Sequence, residues 1–150
     1  LKNCYGVWES GYTSTEADPR GIEADGNLDG IYPDHLRQSD FAVENMTIVN
    51  NAANTTDNVD RMQDVIKIRR GAKATITNAL VKGSGGTIDL IDMNDSKGAG
   101  NAASSISITH TLNFKNKLNG TLNTFTEPTT NTGADASLFT WSGYDFSSLL

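Results

Sequence analysis

Cysteine is almost missing from this chain. Cys4 stands alone, so no internal disulfide can form, and cysteine usage leaves the redox compartment open. Clustered positive charge is missing too. The net charge is −6 and the pI is near 4.7, and the one adjacent basic pair, Arg69-Arg70, sits in an acidic background. That pair is too small to hold a phosphate backbone, so a nucleic-acid partner is excluded. No apolar run approaches the roughly 18 residues of a membrane-spanning helix, so no membrane span is expected. Hydrophobic residues as a whole are scarce, 37% of the chain, which is low for a compact α/β enzyme.

Small polar residues fill the deficit: 15 Asn, 17 Thr and 14 Gly in 150 residues. Such a mixture disfavours helix interiors and suits short strands joined by tight turns, where Asn and Gly tolerate left-handed backbone angles. The length supports one domain with its own core. Residues 1–19 read as an opening strand and a surface loop, 20–116 as the body, and 117–150 as a C-terminal loop and cap. The first residue is Leu1 rather than Met, and LKNCYG resembles the middle of a strand. The chain is therefore expected to be the C-terminal fragment of a longer one.

The body repeats itself. One series aligns Ile22, Ile66 and Ile88; a second aligns Val43, Ile76 and Ile108. A coil of about 22 residues with loop insertions at 49–63 and 93–104 accounts for both. Alternation along each strand then stacks Ile22/Ile66/Ile88, Ala24/Ile68/Leu90 and Val43/Ile76/Ile108 as columns through one core. Asn45, Asn78 and His110 follow as a polar column at a turn. A single coil cannot bury its apolar face, so stability must come from stacked neighbours. The aromatic tail with Phe139, Trp141, Tyr144 and Phe146 is expected to fold over the last coil and cover its open end.

On RGIEADGNLDG, the IKIRRGAKATITNALVKG coil and the closing DASLFTWSGYDF, the sequence resembles the pectin-lyase-like β-helix proteins, of the secreted or surface-anchored type found in gut anaerobic bacteria. That resemblance covers about residues 20–146 as a pattern. It implies an all-β fold, a single-stranded right-handed parallel β-helix of about four to six coils, with a C-terminal aromatic cap. It also implies a secreted or cell-surface location. The family holds polysaccharide lyases and hydrolases as well as adhesins and passive surface domains, so fold alone does not settle function.

The candidate chemistry lies on the outward side of the first strand column. Glu23, Lys67 and Asp89 form one row there, with Asp25 and Arg69 beside them. These five are the candidate binding residues for a polysaccharide laid across an exposed strand face. Carboxylates beside a lysine or arginine could serve acid–base chemistry. The simpler reading is a ladder of alternating charge, Glu23 against Lys67 and Lys67 against Asp89, which stabilises the stack modestly. Lyases resembling this family carry acidic residues for calcium on successive coils, and a cation interrupts that series here.

Asp25-Gly-Asn27-Leu-Asp29-Gly30 matches the opening of a calcium loop, but Leu36 stands where a bidentate Glu belongs; Asp34 or Glu23 would have to replace it. A turn between strands needs the same residue types. His110 and His35 lack any spaced nucleophile or acid, and two histidines with one cysteine make no zinc signature. No phosphate loop or dinucleotide fingerprint occurs, so no cofactor, no metal and no catalytic set is assigned. The expected function is a non-catalytic extracellular or cell-surface domain that contacts glycans or acts as an adhesin. The alternative is a polysaccharide lyase or glycoside hydrolase acting on a plant or host glycan. Self-association through the exposed helix ends is a third reading.

Overall fold

The computed structural model describes residues 1–11, 13, 15, 17–27, 38–53 and 61–149. Among them run nine strands: β1 (Lys2–Trp8), β2 (Arg20–Asp25), β3 (Asp40–Asn50), β4 (Met62–Arg69), β5 (Lys73–Gly83), β6 (Thr87–Asp92), β7 (Ser105–His110), β8 (Asn116–Asn119) and β9 (Thr124–Thr126). Odd-numbered strands form a five-stranded sheet in the order β1-β3-β5-β7-β9, and even-numbered strands form a four-stranded sheet, β2-β4-β6-β8. Every strand pairing is parallel. Each circuit of the chain thus adds one strand to each sheet, and the molecule is a parallel β-helix. No helix among the described residues is long and apolar enough to cross a membrane.

The core is a set of columns running along the stack. In the four-stranded sheet Ile22, Ile66, Ile91 and Leu118 are successive register partners. In the five-stranded sheet Val43, Ile76, Ile106 and Phe125 make one column, and Cys4, Met46, Ala79 and Ile108 another. All belong to or pack on a single apolar cluster. Each fully buried isoleucine contributes about 1.5–3 kcal/mol.

Two registers differ from the expected ones. Ile66 pairs with Ile91, not Ile88, and Ile76 pairs with Ile106, not Ile108. The steps from Ile22 to Ile66, Ile91 and Leu118 are 44, 25 and 27 residues, so no constant 22-residue coil exists. The segment TIDLID offers an apolar residue at 88, 90 and 91, so apolar matching alone cannot choose among them. The loop 93–104 is tied down by its backbone: Arg70 N–H donates to Gly98 O, Gly71 to Ala99 O and Asn101 to Ala72 O.

The second slip has a clear local cause. Asn3, Asn45 and Asn78 adopt left-handed backbone angles, with φ of 53°, 58° and 51°. Each turns the five-stranded sheet through a corner, and the inward residues step by three there, from Val43 to Met46 and from Ile76 to Ala79. Asparagine tolerates that conformation because its short amide bonds locally. Here the amides stack: Asn78 Nδ2 donates to Asn45 Oδ1 at 2.8 Å, and Asn45 Nδ2 donates to Asn3 Oδ1 at 3.0 Å. Strand β7 has no corner residue, and the ladder shifts by one between Ile76 and Ala79. His110 consequently pairs with Val81 and is no part of the asparagine column; Asn3 takes a place in it instead.

The C-terminal tail also goes elsewhere than expected. From Pro128 it runs back across the outer face of the five-stranded sheet, along the column Thr109, Leu80, Thr47, Tyr5. Asn131 N–H donates to Thr109 Oγ1 (3.2 Å), Thr132 N–H to Asn78 Oδ1 (2.8 Å) and Ala134 N–H to Thr47 Oγ1 (2.9 Å). Rings from the following segment then reach the first coil, not the last: Phe139 and Phe146 meet Tyr5 edge-on at 5.8 and 4.8 Å. The tail is a strap across the stack rather than a plug at its end. Its route follows the outward column of small hydroxyl and apolar side chains, which gives it both acceptors and contact area.

Candidate functional site

The outer face of the four-stranded sheet is built from one four-residue pattern repeated on four strands: Arg20-Gly-Ile-Glu23, Asp64-Val-Ile-Lys67, Asp89-Leu-Ile-Asp92 and Asn116-Lys-Leu-Asn119. Register turns the pattern into two polar rows: Arg20, Asp64, Asp89 and Asn116 in one, Glu23, Lys67, Asp92 and Asn119 in the other. Between the rows, Val65-Ile66 and Leu90-Ile91 are wholly buried in the core. Strict alternation would send residues three apart to opposite faces. With both middle residues taken by the core, the two flanking polar groups come together instead.

The result is a dense charged cluster with little exposure: Asp64 and Lys67 are each 7% exposed, Asp89 5% and Asp92 8%. Asp64, Asp89 and Asp92 each offer a carboxylate oxygen, and these lie within 4.8 Å of one another. Around them Arg20 Nε donates to Asp64 at 3.2 Å, Lys67 Nζ donates to Asp92, and Asn116 Nδ2 donates to Asp89 at 2.7 Å. Asn119 Nδ2 reaches the other oxygen of Asp89 at 3.4 Å. Burial pushes the Asp64 carboxyl above its usual value, opposed by the hydrogen bond from Arg20 and reinforced by the nearby charge of Asp92. An oxygen-only donor set of this kind suits a hard cation such as calcium.

A second network lies alongside. Arg69 donates to both Glu23 and Asp25 and is 3.5 Å from Asp95; Arg70 is 3.3 Å from Asp95. The hydrogen bond from Arg69 holds the Asp25 carboxyl below the ordinary range, and Asp95 is lowered chiefly by the backbone N–H of Lys97.

All five residues singled out from sequence, Glu23, Asp25, Lys67, Arg69 and Asp89, share this face. Their pairing differs from the expected ladder. Lys67 faces Asp92 rather than Asp89, Asp89 stands beside Asp64, and Glu23 gives its carboxylate to Arg20 (2.8 Å) and Arg69 although Lys67 is its register partner. The sequence reading missed Arg20, Asp64, Asp92, Asn116 and Asn119. The polar residues three apart on all four strands, with a wholly apolar pair between them on β4 and β6, would have found them.

Of the candidate calcium loop, Asp25 is committed to Arg69, and the Asn27 N–H is taken by Gln38. Asp29, Asp34 and Leu36, like His35, lie outside the described residues. His110 has a partner that sequence spacing did not suggest. Its Nε2 is 2.7 Å from Glu127, which also pairs with Lys117 at 2.9 Å, while its Nδ1 faces Leu112 O at 3.2 Å.

No curated protein and no solved structure matches the chain. A family model does: residues 3–144 match the pectate-lyase like beta helix domain, nearly the whole of the stack and strap. With the parallel coils and their charged outer face, that match places this chain in the pectate-lyase-like beta helix family.

Proposed function

We propose that this domain binds a glycan along the outer face of its four-stranded sheet without cleaving it, and that it does so outside the cell or at the cell surface. A carbohydrate-related role fits the family. The observation that carries the binding reading is the pair of polar rows crossing four successive coils, whose exposed members are Glu23, with Asp25 beside it, on the first strand and Asn116 on the last. Such a surface matches a polymer whose hydroxyls repeat along its length. The reading is non-catalytic because the groups a β-elimination would draw on are already engaged: Lys67 donates to Asp92, and Arg69 to Glu23 and Asp25.

A cation-assisted lyase is the second reading, favoured by the three carboxylates of Asp64, Asp89 and Asp92 gathered within 4.8 Å beside Lys67. Incubation with acidic and neutral polysaccharides, with and without calcium, separates the two. The binding reading expects retarded migration in affinity electrophoresis and no rise in unsaturated product or reducing ends. Product formation abolished by Lys67→Ala or Asp89→Ala would overturn it in favour of the lyase.

A further inference from the structure

Both tryptophans of the chain are carried to the end of the stack where the strap meets the first coil. Trp8 closes β1, and Trp141 lies on the short 3-10 helix Ala136–Ser142 of the strap. Packing explains Tyr5, Phe139 and Phe146, which bury one another at 4.8–6.0 Å. It does not explain Trp141, which is 82% exposed, and it leaves Tyr144, which leans on Phe146, 37% exposed. Large apolar rings left in water on a chain with so few aromatics point to a surface that is covered by something else.

At Tyr144 opens a cavity of about 430 Å³ lined, among the described residues, by Val7, Trp8, Glu9 and Tyr144. The Tyr144 hydroxyl donates to Glu9 Oε1, which fixes the phenol against the carboxylate, and the Tyr144 ring leans on Phe146 at 5.1 Å. An indole, a phenol and a carboxylate thus line one hollow of a size ordinary for small-ligand sites.

We infer that this hollow is a second carbohydrate contact, one that takes an uncharged sugar residue. A pyranose ring presents a face of C–H groups that suits the negative face of an aromatic ring, and hydroxyls around its rim that donate to a carboxylate. Glu9 has acceptor positions left after binding Tyr144, since a carboxylate offers about four. The same carboxylate, on a chain of net charge −6, disfavours uronates, phosphates and nucleic acids. The site shares no residue with the four-stranded face, and the inference does not rest on a ligand bound there.

Because both tryptophans sit at this end, intrinsic emission reports on it. The intact chain is titrated with neutral gluco-, xylo- and manno-oligosaccharides and, separately, with oligogalacturonate. The expected result is a saturable emission change with at least one neutral series and little or none with the uronate. Glu9→Ala and Tyr144→Ala should each weaken that binding by about tenfold, the equivalent of one lost contact of about 1.4 kcal/mol. Asp89→Asn, on the other face, should leave the emission response intact. Emission unmoved by every neutral series at millimolar concentration would overturn the inference. So would equal response to the uronate, or unchanged binding in Glu9→Ala with wild-type melting.

Discussion

Replacing Asn78 by alanine should loosen both the corner of the helix and the strap that crosses it. Asn78 holds a left-handed backbone at φ 51°, donates to Asn45 at 2.8 Å, and accepts from the Thr132 N–H at 2.8 Å. Alanine in that conformation is strained by about 1–2 kcal/mol. The two short hydrogen bonds contribute about 0.5–1.5 kcal/mol each, net of water. A total loss of about 2–5 kcal/mol follows. Glycine at the same position removes the same bonds without the strain, so Asn78→Gly should be the more stable variant by about 1 kcal/mol, against the usual order of the two residues. Urea unfolding followed by far-UV circular dichroism gives both values by linear extrapolation. Limited proteolysis should show the tail after Pro128 cut sooner in either variant. A loss under about 0.5 kcal/mol for Asn78→Ala, or a glycine variant less stable than the alanine one, would refute the account of the corner.

Three further expectations are open to measurement. The Asp25 and Glu127 carboxyls are lowered, by Arg69 and by His110 respectively. Their stabilisation is therefore complete above the unfolded carboxylate pKa of about 4 and is lost as pH falls through the lower folded value. The melting temperature of Asp25→Asn should converge on that of the wild type at the acid end of a pH series, and a gap that widens there contradicts this. Ile66→Ala removes a fully buried side chain from the middle of a column and should cost about 2–5 kcal/mol in chemical unfolding. Gly133 sits at φ 69°, with no room for a Cβ, which would stand 2.9 Å from that of Leu80 as well as against Thr47. Gly133→Ala should lift the strap, seen as faster hydrogen exchange at Ala134, whose N–H is bound to Thr47, while the coil interior stays protected.

Much of the charged face is legible in the amino-acid sequence. Glu23, Lys67, Asp25 and Arg69 fall on one face because strand alternation is a local property, whereas Asp89 joins them against alternation because Leu90 and Ile91 both enter the core. Their partners are not legible there, because a partner in a parallel stack depends on register between segments 25 to 44 residues apart. Taking Ile88 in place of Ile91 moves Lys67 from Asp92 to Asp89 and hides the gathering of Asp64, Asp89 and Asp92. The same holds for His110. Nothing in SISITH announces that β7 lacks a corner residue, and only pairing with β5 reveals the missing step.

The sequence by itself determined the stacked parallel coils, the first step of each apolar column (Ile22 to Ile66, Ala24 to Ile68, Val43 to Ile76) and the turn role of asparagine, since periodicity, propensity and left-handed tolerance are written residue by residue. Tertiary structure decided which carboxylates meet, where the amide ladder begins, and that the aromatic tail crosses to the first coil instead of closing the last. The physical reason is common to all three. Apolar and aromatic burial is non-directional and accepts several registers and several destinations. The choice among them falls to hydrogen bonds that exist only once distant strands are side by side.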